Sequence, residues 1–265
     1  MDEQLFQEAC DKLICRQQGL HGIGTLGEKT VHAVLKYYYA PEEKYHEVKI
    51  GNFVADICKE GEIIEIQTRH FYTMRAKLDY FLQDYEVTIV YPIPHIKYLR
   101  WVDPETGEIL PKRKCPKKGK IYDIIPELYK IKPFLSNERL HFILTFLDME
   151  EYRMLDGWSK DKKKGATKTD KIPTALVAEW RIDAKEDYLK FLPLKQQGDF
   201  SDGSSVQDIL TTGTLPEQFT SKDVAAVCKI SVNTASTLLH ILHYLKLVKR
   251  IGKKGNAYLY HIISV

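Results

Sequence analysis

Phe53-Val-Ala-Asp56-Ile-Cys-Lys-Glu-Gly61-Glu-Ile-Ile-Glu65-Ile-Gln67 is the stretch whose reading decides the fold. Apolar residues flank a polar Lys59-Glu60-Gly61-Glu62 centre, the pattern of a β-hairpin that turns at Glu60-Gly61. A two-residue turn there pairs 59 with 62, 58 with 63 and 57 with 64, which sets Asp56 opposite Glu65. Their Cβ atoms would then lie about 4.5–5.5 Å apart, and like charges so placed are destabilising unless something offsets them. A divalent cation would do so. Glu65 and Gln67 are two apart, so on a strand they share a face, and Gln67 joins the cluster.

The segment before it extends the pattern. Tyr45-His-Glu-Val-Lys-Ile50 leads through Gly51-Asn52, a two-residue hairpin loop, into Phe53. By the same counting Glu47 falls opposite Asp56, so Glu47, Asp56 and Glu65 would run across three antiparallel strands, with Lys49 on the face of Glu47. That row depends on both turns, because a one-residue slip sends a strand's acids to the other face.

An Asp, a hairpin and then Ile64-Glu65-Ile66-Gln67-Thr68 resembles the PD-(D/E)XK nuclease superfamily, nearest to its competence protein CoiA-like branch. The likeness covers about residues 25 to 92 and includes Ala55-Asp56, Arg75 and Tyr80. It implies an α/β fold with a restriction-endonuclease-like mixed sheet flanked by helices, and a Mg²⁺ or Mn²⁺ ion held by Asp56 and Glu65. The chain departs from the superfamily at Gln67, where a lysine is usual. Gln67 carries no charge and no transferable proton, yet it can orient a water, and Lys49 or Lys77 could supply the charge. The superfamily's helix carboxylate falls to Glu28 or, failing that, Glu47. Glu28 has a second reading, since Thr25-Leu-Gly-Glu28 also fits a helix-starting capping box.

Outward from this core, apolar spacing predicts helices over residues 2–16 and 26–39, the second ended by Pro41, and over 69–82 with Phe71, Met74, Leu78 and Phe81 on one face. Buried strands are expected at 87–91 and 141–147, and a hairpin at 97–110 around Pro104-Glu-Thr-Gly107. Arg75 and Lys77 are either phosphate contacts or solvated helix charges. The basic run from Lys112 to Lys120 is either a DNA-backbone loop or a solvated turn. Residues 158–173 hold six lysines and little to bury, which predicts a mobile loop. Gln196 to Ser205 is polar and glycine-bearing, as a linker is. The expected domains are therefore a nuclease-like domain at 1–150, a basic loop and linker region at 151–205, and a DNA-binding domain at 206–265.

The net charge of +3 is unevenly spread. From Ser221 to Val265 seven Lys or Arg face one acid, a balance of +6, which leaves −3 for the rest. Such an end suits a polyanion. A short helix from about Ser221, a turn at 228–232, a helix at 233–247 and two β runs around Gly252-Lys-Lys-Gly-Asn256 resemble the winged helix-turn-helix family. That likeness places Asn233, Thr234, Ser236 and Thr237 on a recognition helix and Lys249, Arg250, Lys253 and Lys254 on a basic wing.

The five cysteines are odd in number and lack a C-x-x-C pair, so neither a disulfide framework nor a zinc site is indicated. No apolar run approaches ~18 residues and the first residues are acidic, so a cytoplasmic protein with no membrane partner is expected. DNA is the expected partner, and a homodimer stays open. Together these features predict a metal-dependent DNA endonuclease, a phosphodiester hydrolase targeted by its C-terminal module. A DNA-binding transcriptional regulator with a catalytically silent nuclease-like domain is the alternative.

Overall fold

The computed structural model describes residues 1–18, 30–156, 167–194 and 213–263. Ten strands and six α-helices alternate along them in an α/β arrangement. Strands β1 to β7 form a large mixed sheet flanked by helices, and β8 to β10 form a separate three-stranded sheet. Contacts divide the chain into two compact units. The first comprises residues 1–59, 92–119 and 145–179, and the second residues 60–91, 120–144 and 180–265.

In the first unit, α1 (Glu3–Gln18) starts at Asp2, whose carboxylate accepts the Leu5 N–H at 2.9 Å and satisfies one of the orphan amides of the first turn. Its Phe6, Ala9, Cys10 and Leu13 are buried, and Phe6 meets Tyr38 of α2 (Thr30–Tyr39) edge to face, with centroids 5.6 Å apart. Strand β1 (His46–Ile50) pairs antiparallel with β2 (Phe53–Lys59), with Ile50 opposite Phe53. Gly51 alone supplies the positive φ of the intervening loop, the type II′ pattern. The expected register holds, since His46 faces Ile57 and Val48 faces Ala55. Glu47 itself leaves the ladder, with φ at 51°.

Three long strands, β4 (Glu86–Val102), β6 (Leu140–Met154) and β7 (Lys168–Ile182), contribute to both units. The first was expected only at 87–91, and Pro92 and Pro94 follow that span. Here the strand passes through both prolines. The basic run 112–120 is bound along its edge: Lys114 faces Tyr98, Arg113 in β5 (Arg113–Lys114) faces Leu99, and Gly119 N–H donates to Pro94 O at 2.7 Å. A side chain at Gly119 would meet Ile93 Cγ2 at 2.5 Å, so only glycine allows that approach. Residues 168–173, expected in a loop, open β7 instead. The remaining lysines of that expected loop, Glu28, and the expected linker at 196–205 lie outside the described residues.

In the second unit, β3 (Glu62–Ile66) runs parallel to β4, Glu62 facing Glu86 and Ile66 facing Val90. Parallel neighbours need a crossover, which is supplied by a 3₁₀ turn at Phe71–Met74 and α3 (Arg75–Phe81). Phe71, Met74, Leu78 and Phe81 are buried, the face that the spacing predicts. Before β3, Glu60 and Gly61 have φ of 52° and 87°, as a two-residue turn at that place requires. A 3₁₀ turn at Ile121–Ile124 leads into α4 (Ile125–Lys130), which carries Pro126 in its first turn. The C-terminal elements are β8 (Gln218–Phe219), α5 (Ser221–Cys228), α6 (Val232–Tyr244), β9 (Val248–Lys254) and β10 (Ala257–Ile262). Strand β10 lies between β8 and β9. The chain bends by 116° between α5 and α6, where Lys229 takes a left-handed φ of 49°. Among the described residues, no single helix is long and apolar enough to cross a membrane.

Candidate functional site

Residues of the expected centre fall in both units. In the first, α2 carries His32 and Lys36 four residues apart, hence on one helix face. His32 Nε2 lies 3.1 Å from Asp56 Oδ2 on β2, and Lys36 Nζ donates to Glu47 Oε1 at 2.9 Å. Lys36 is 5% exposed, and a cation so far from water needs an anion. The left-handed turn of the backbone at Glu47 accompanies an exposed side chain that meets this need. The three-acid row therefore changes character on this side: Glu47 is engaged by a lysine, and Asp56 by a histidine. Neither His32 nor Lys36 was singled out from the sequence, although their i, i+4 spacing on a helix just before the acidic strands was a usable signal.

In the second unit, Glu65 on β3 is buried, at 5% exposure, and Lys77 of α3 donates to both of its oxygens, at 2.9 and 2.8 Å. Two charge-assisted hydrogen bonds on one carboxylate offset its loss of water. Gln67 follows β3 directly, and its N–H donates to Val90 O at 2.9 Å, which carries the parallel pairing one step further and fixes the backbone of that residue. Arg75 meets backbone. Its guanidinium donates to Lys130 O, 2.8 Å from Nε, and so caps the end of α4. His70 takes a left-handed φ of 62° just before the 3₁₀ turn.

The C-terminal residues divide by their partners. Ser231 caps α6, accepting the Thr234 N–H at 3.0 Å, and its hydroxyl lies 2.8 Å from that of Thr234. Thr237 returns its hydroxyl to Asn233 O at 2.9 Å. Asn233 and Ser236 are exposed on the same helix. Lys249, Arg250, Lys253 and Lys254 are exposed along β9, while Ala235, Leu238, Leu239, Ile241 and Leu242 of α6 are buried.

With this geometry in place, the chain can be set against known proteins. It belongs to the family described as a domain of unknown function (DUF8091), whose model matches residues 29–183, more than half of the chain. That span takes in His32, Lys36, Asp56, Glu65 and Lys77 and stops short of the C-terminal elements. The chain is also similar to an uncharacterized protein of Treponema pallidum (strain Nichols), 27% identical over 246 residues, which cover 90% of this chain and 86% of that protein. No solved structure matches.

Proposed function

We propose that the protein is a metal-dependent DNA endonuclease, the activity implied by the resemblance around Asp56, Glu65 and Gln67, with Glu65 as a ligand of Mg²⁺ or Mn²⁺ and Gln67 orienting the attacking water. The observation that carries this reading is the Lys77 ammonium on both oxygens of Glu65. In the nuclease superfamily that the sequence resembles, a lysine two residues beyond the glutamate is usual, and here that position is Gln67. Lys77 brings a positive charge to the same carboxylate from the following helix. It would offset the charge of Glu65 and, beside it, neutralise charge on a phosphate oxygen.

Carboxylate oxygens suit a hard cation. Among the described residues, no group of three or more His, Cys, Asp or Glu gathers as a metal centre, so an ion would rest on fewer side chains, with waters completing its shell as Mg²⁺ commonly keeps them. When bound, the ion would activate water and stabilise the scissile phosphate. Within the first unit, His32 would orient the Asp56 carboxylate and Lys36 would neutralise Glu47.

The helix pair bent at Lys229, followed by the β9–β10 hairpin, supports a winged helix as the DNA-binding part. Asn233 and Ser236 would meet base edges, because the hydroxyls of Thr234 and Thr237 are engaged within the helix. Lys249, Arg250, Lys253 and Lys254 would meet phosphates. Calorimetric titration with Mn²⁺ tests the metal half of the proposal. Binding in the intact protein and its loss in Glu65→Ala are expected; absence of binding in the intact protein would leave the acids as plain strand residues and remove the metal chemistry.

A further inference from the structure

We infer that the nucleic-acid surface of the C-terminal module continues onto α4 and the turn after it, with Lys132 as a phosphate-binding residue. This rests on the nucleic-acid reading of the module and extends it to a segment that lies outside the module in sequence. Helix α4 lies along α6: Tyr129 meets His240 edge to face with ring centroids 5.6 Å apart. Lys132 Nζ sits 5.4 Å from the centre of the Tyr129 ring and 4.6 Å from that of Tyr244. Its ammonium is thus held between two tyrosines, one from each element and each 44% exposed. Beyond α6, the Arg250 guanidinium lies 4.3 Å over the Tyr258 ring, and Lys253 Nζ lies 5.3 Å from the same ring.

Among the described residues, these cations have no carboxylate at ion-pair distance. Elsewhere Lys36, Lys77, Lys97, Arg100 and Arg153 each meet a Glu. Among the described residues, neither Lys132 nor Arg250 forms an ion pair. His240 registers the resulting field: burial pushes its imidazole below the ordinary value, and Lys132, Arg250 and His243 push it the same way. Like charges brought together at an exposed surface repel, and a polyanion relieves that repulsion by releasing its counterions. The tyrosine faces fix the ammonium in advance, which lowers the ordering cost of a phosphate contact. Exposed Tyr129, Tyr244 and Tyr258 interleaved with cations make the chemistry of a nucleic-acid backbone site rather than that of an isolated small anion.

The test uses the full-length protein and a labelled duplex of about 20 base pairs. Anisotropy titrations across a salt series are expected to give Lys132→Gln a weaker affinity by roughly 5–10-fold and a log K against log[salt] slope shallower by about 0.9, the loss of one phosphate contact. Lys132→Arg should restore both. Arg250→Gln is the reference for the module itself. A slope lowered in Arg250→Gln but unchanged in Lys132→Gln overturns the extension and leaves the module's DNA binding standing. Unchanged slopes in both variants overturn the module's DNA binding as well. Lysine acylation of the unsubstituted protein, read by mass spectrometry, decides the matter even if a variant folds poorly. Lys132 should be protected by the duplex together with Lys253, and protection of Lys253 alone would overturn the extension.

Discussion

Glu65 is a carboxylate almost removed from water, and a single lysine covers both of its oxygens. Removing one partner of a buried pair leaves the other charge uncompensated, typically at 3–5 kcal/mol. Lys77 keeps a 24% exposed side chain, so Lys77→Met should destabilise the fold by about 3 kcal/mol, the low end of that range. Glu65→Gln combined with Lys77→Met should cost less than the sum of the two single changes, as read by urea denaturation. Additive effects would mean that the pair does not stabilise the fold. At the residue scale the sequence named both acids of the candidate site but not all of their partners. Asp56 and Glu65 follow from spacing and turn counting, and Lys77 was one of two lysines, with Lys49, that the resemblance left to supply a charge. His32 and Lys36 were not named, because a partner delivered by another element leaves no mark in local alternation. Glu47 was placed in the right register, but a positive φ took it out of the ladder, and φ is not readable from a glutamate's identity.

Among the elements, those fixed by local chemistry were the legible ones. Gly51 and Glu60-Gly61 turn where the sequence puts them, and the apolar face of residues 71–81 is buried as spaced. Strand lengths were not, since β4 continues past two prolines and β7 begins within a lysine-rich segment. Long-range pairing holds β4 beyond the prolines, as at Gly119 N–H to Pro94 O. The short helical turns between 121 and 134 escaped because each is too short to show a helical period, with Pro126 and Pro133 in first turns where proline is tolerated. Glu151 on β6 illustrates how such strands are tied: it is 1% exposed and accepts from Lys97 of β4 at 2.8 Å and from Arg153 at 2.7 Å. Burial acts to raise its carboxyl, but hydrogen bonds and charge from Lys97 and Arg153 outweigh it and hold the group below the usual carboxylate range. A depressed folded-state value contributes stability above the unfolded value of about 4.3, and that contribution is lost as pH falls through the folded value. The melting temperature of the intact protein should therefore drop below about pH 4 by more than that of Glu151→Gln. Equal acid sensitivity in the two would remove Glu151 from the acid response.

At the scale of the molecule, charge and architecture separate. The last 45 residues carry +6 against −3 for the rest, and the exposed cations of β9 lie among them. The α/β class with a mixed sheet flanked by helices was implied by the resemblance over residues 25 to 92, and the structure bears it out with a two-residue turn at Gly51 and a helix between β3 and β4. Division of the long strands between two compact units was not, since it depends on contacts distant in sequence. The measurement that tests the central claim most directly is cleavage of linear, supercoiled and branched DNA with Mg²⁺ or Mn²⁺, comparing the intact protein with Asp56→Asn and Glu65→Ala. Metal-dependent cutting by the intact protein, lost to background in both variants while DNA binding is retained, is the expected result. Tight, salt-sensitive binding with no cutting of any substrate would contradict it and leave a DNA-binding regulator with a silent nuclease-like domain.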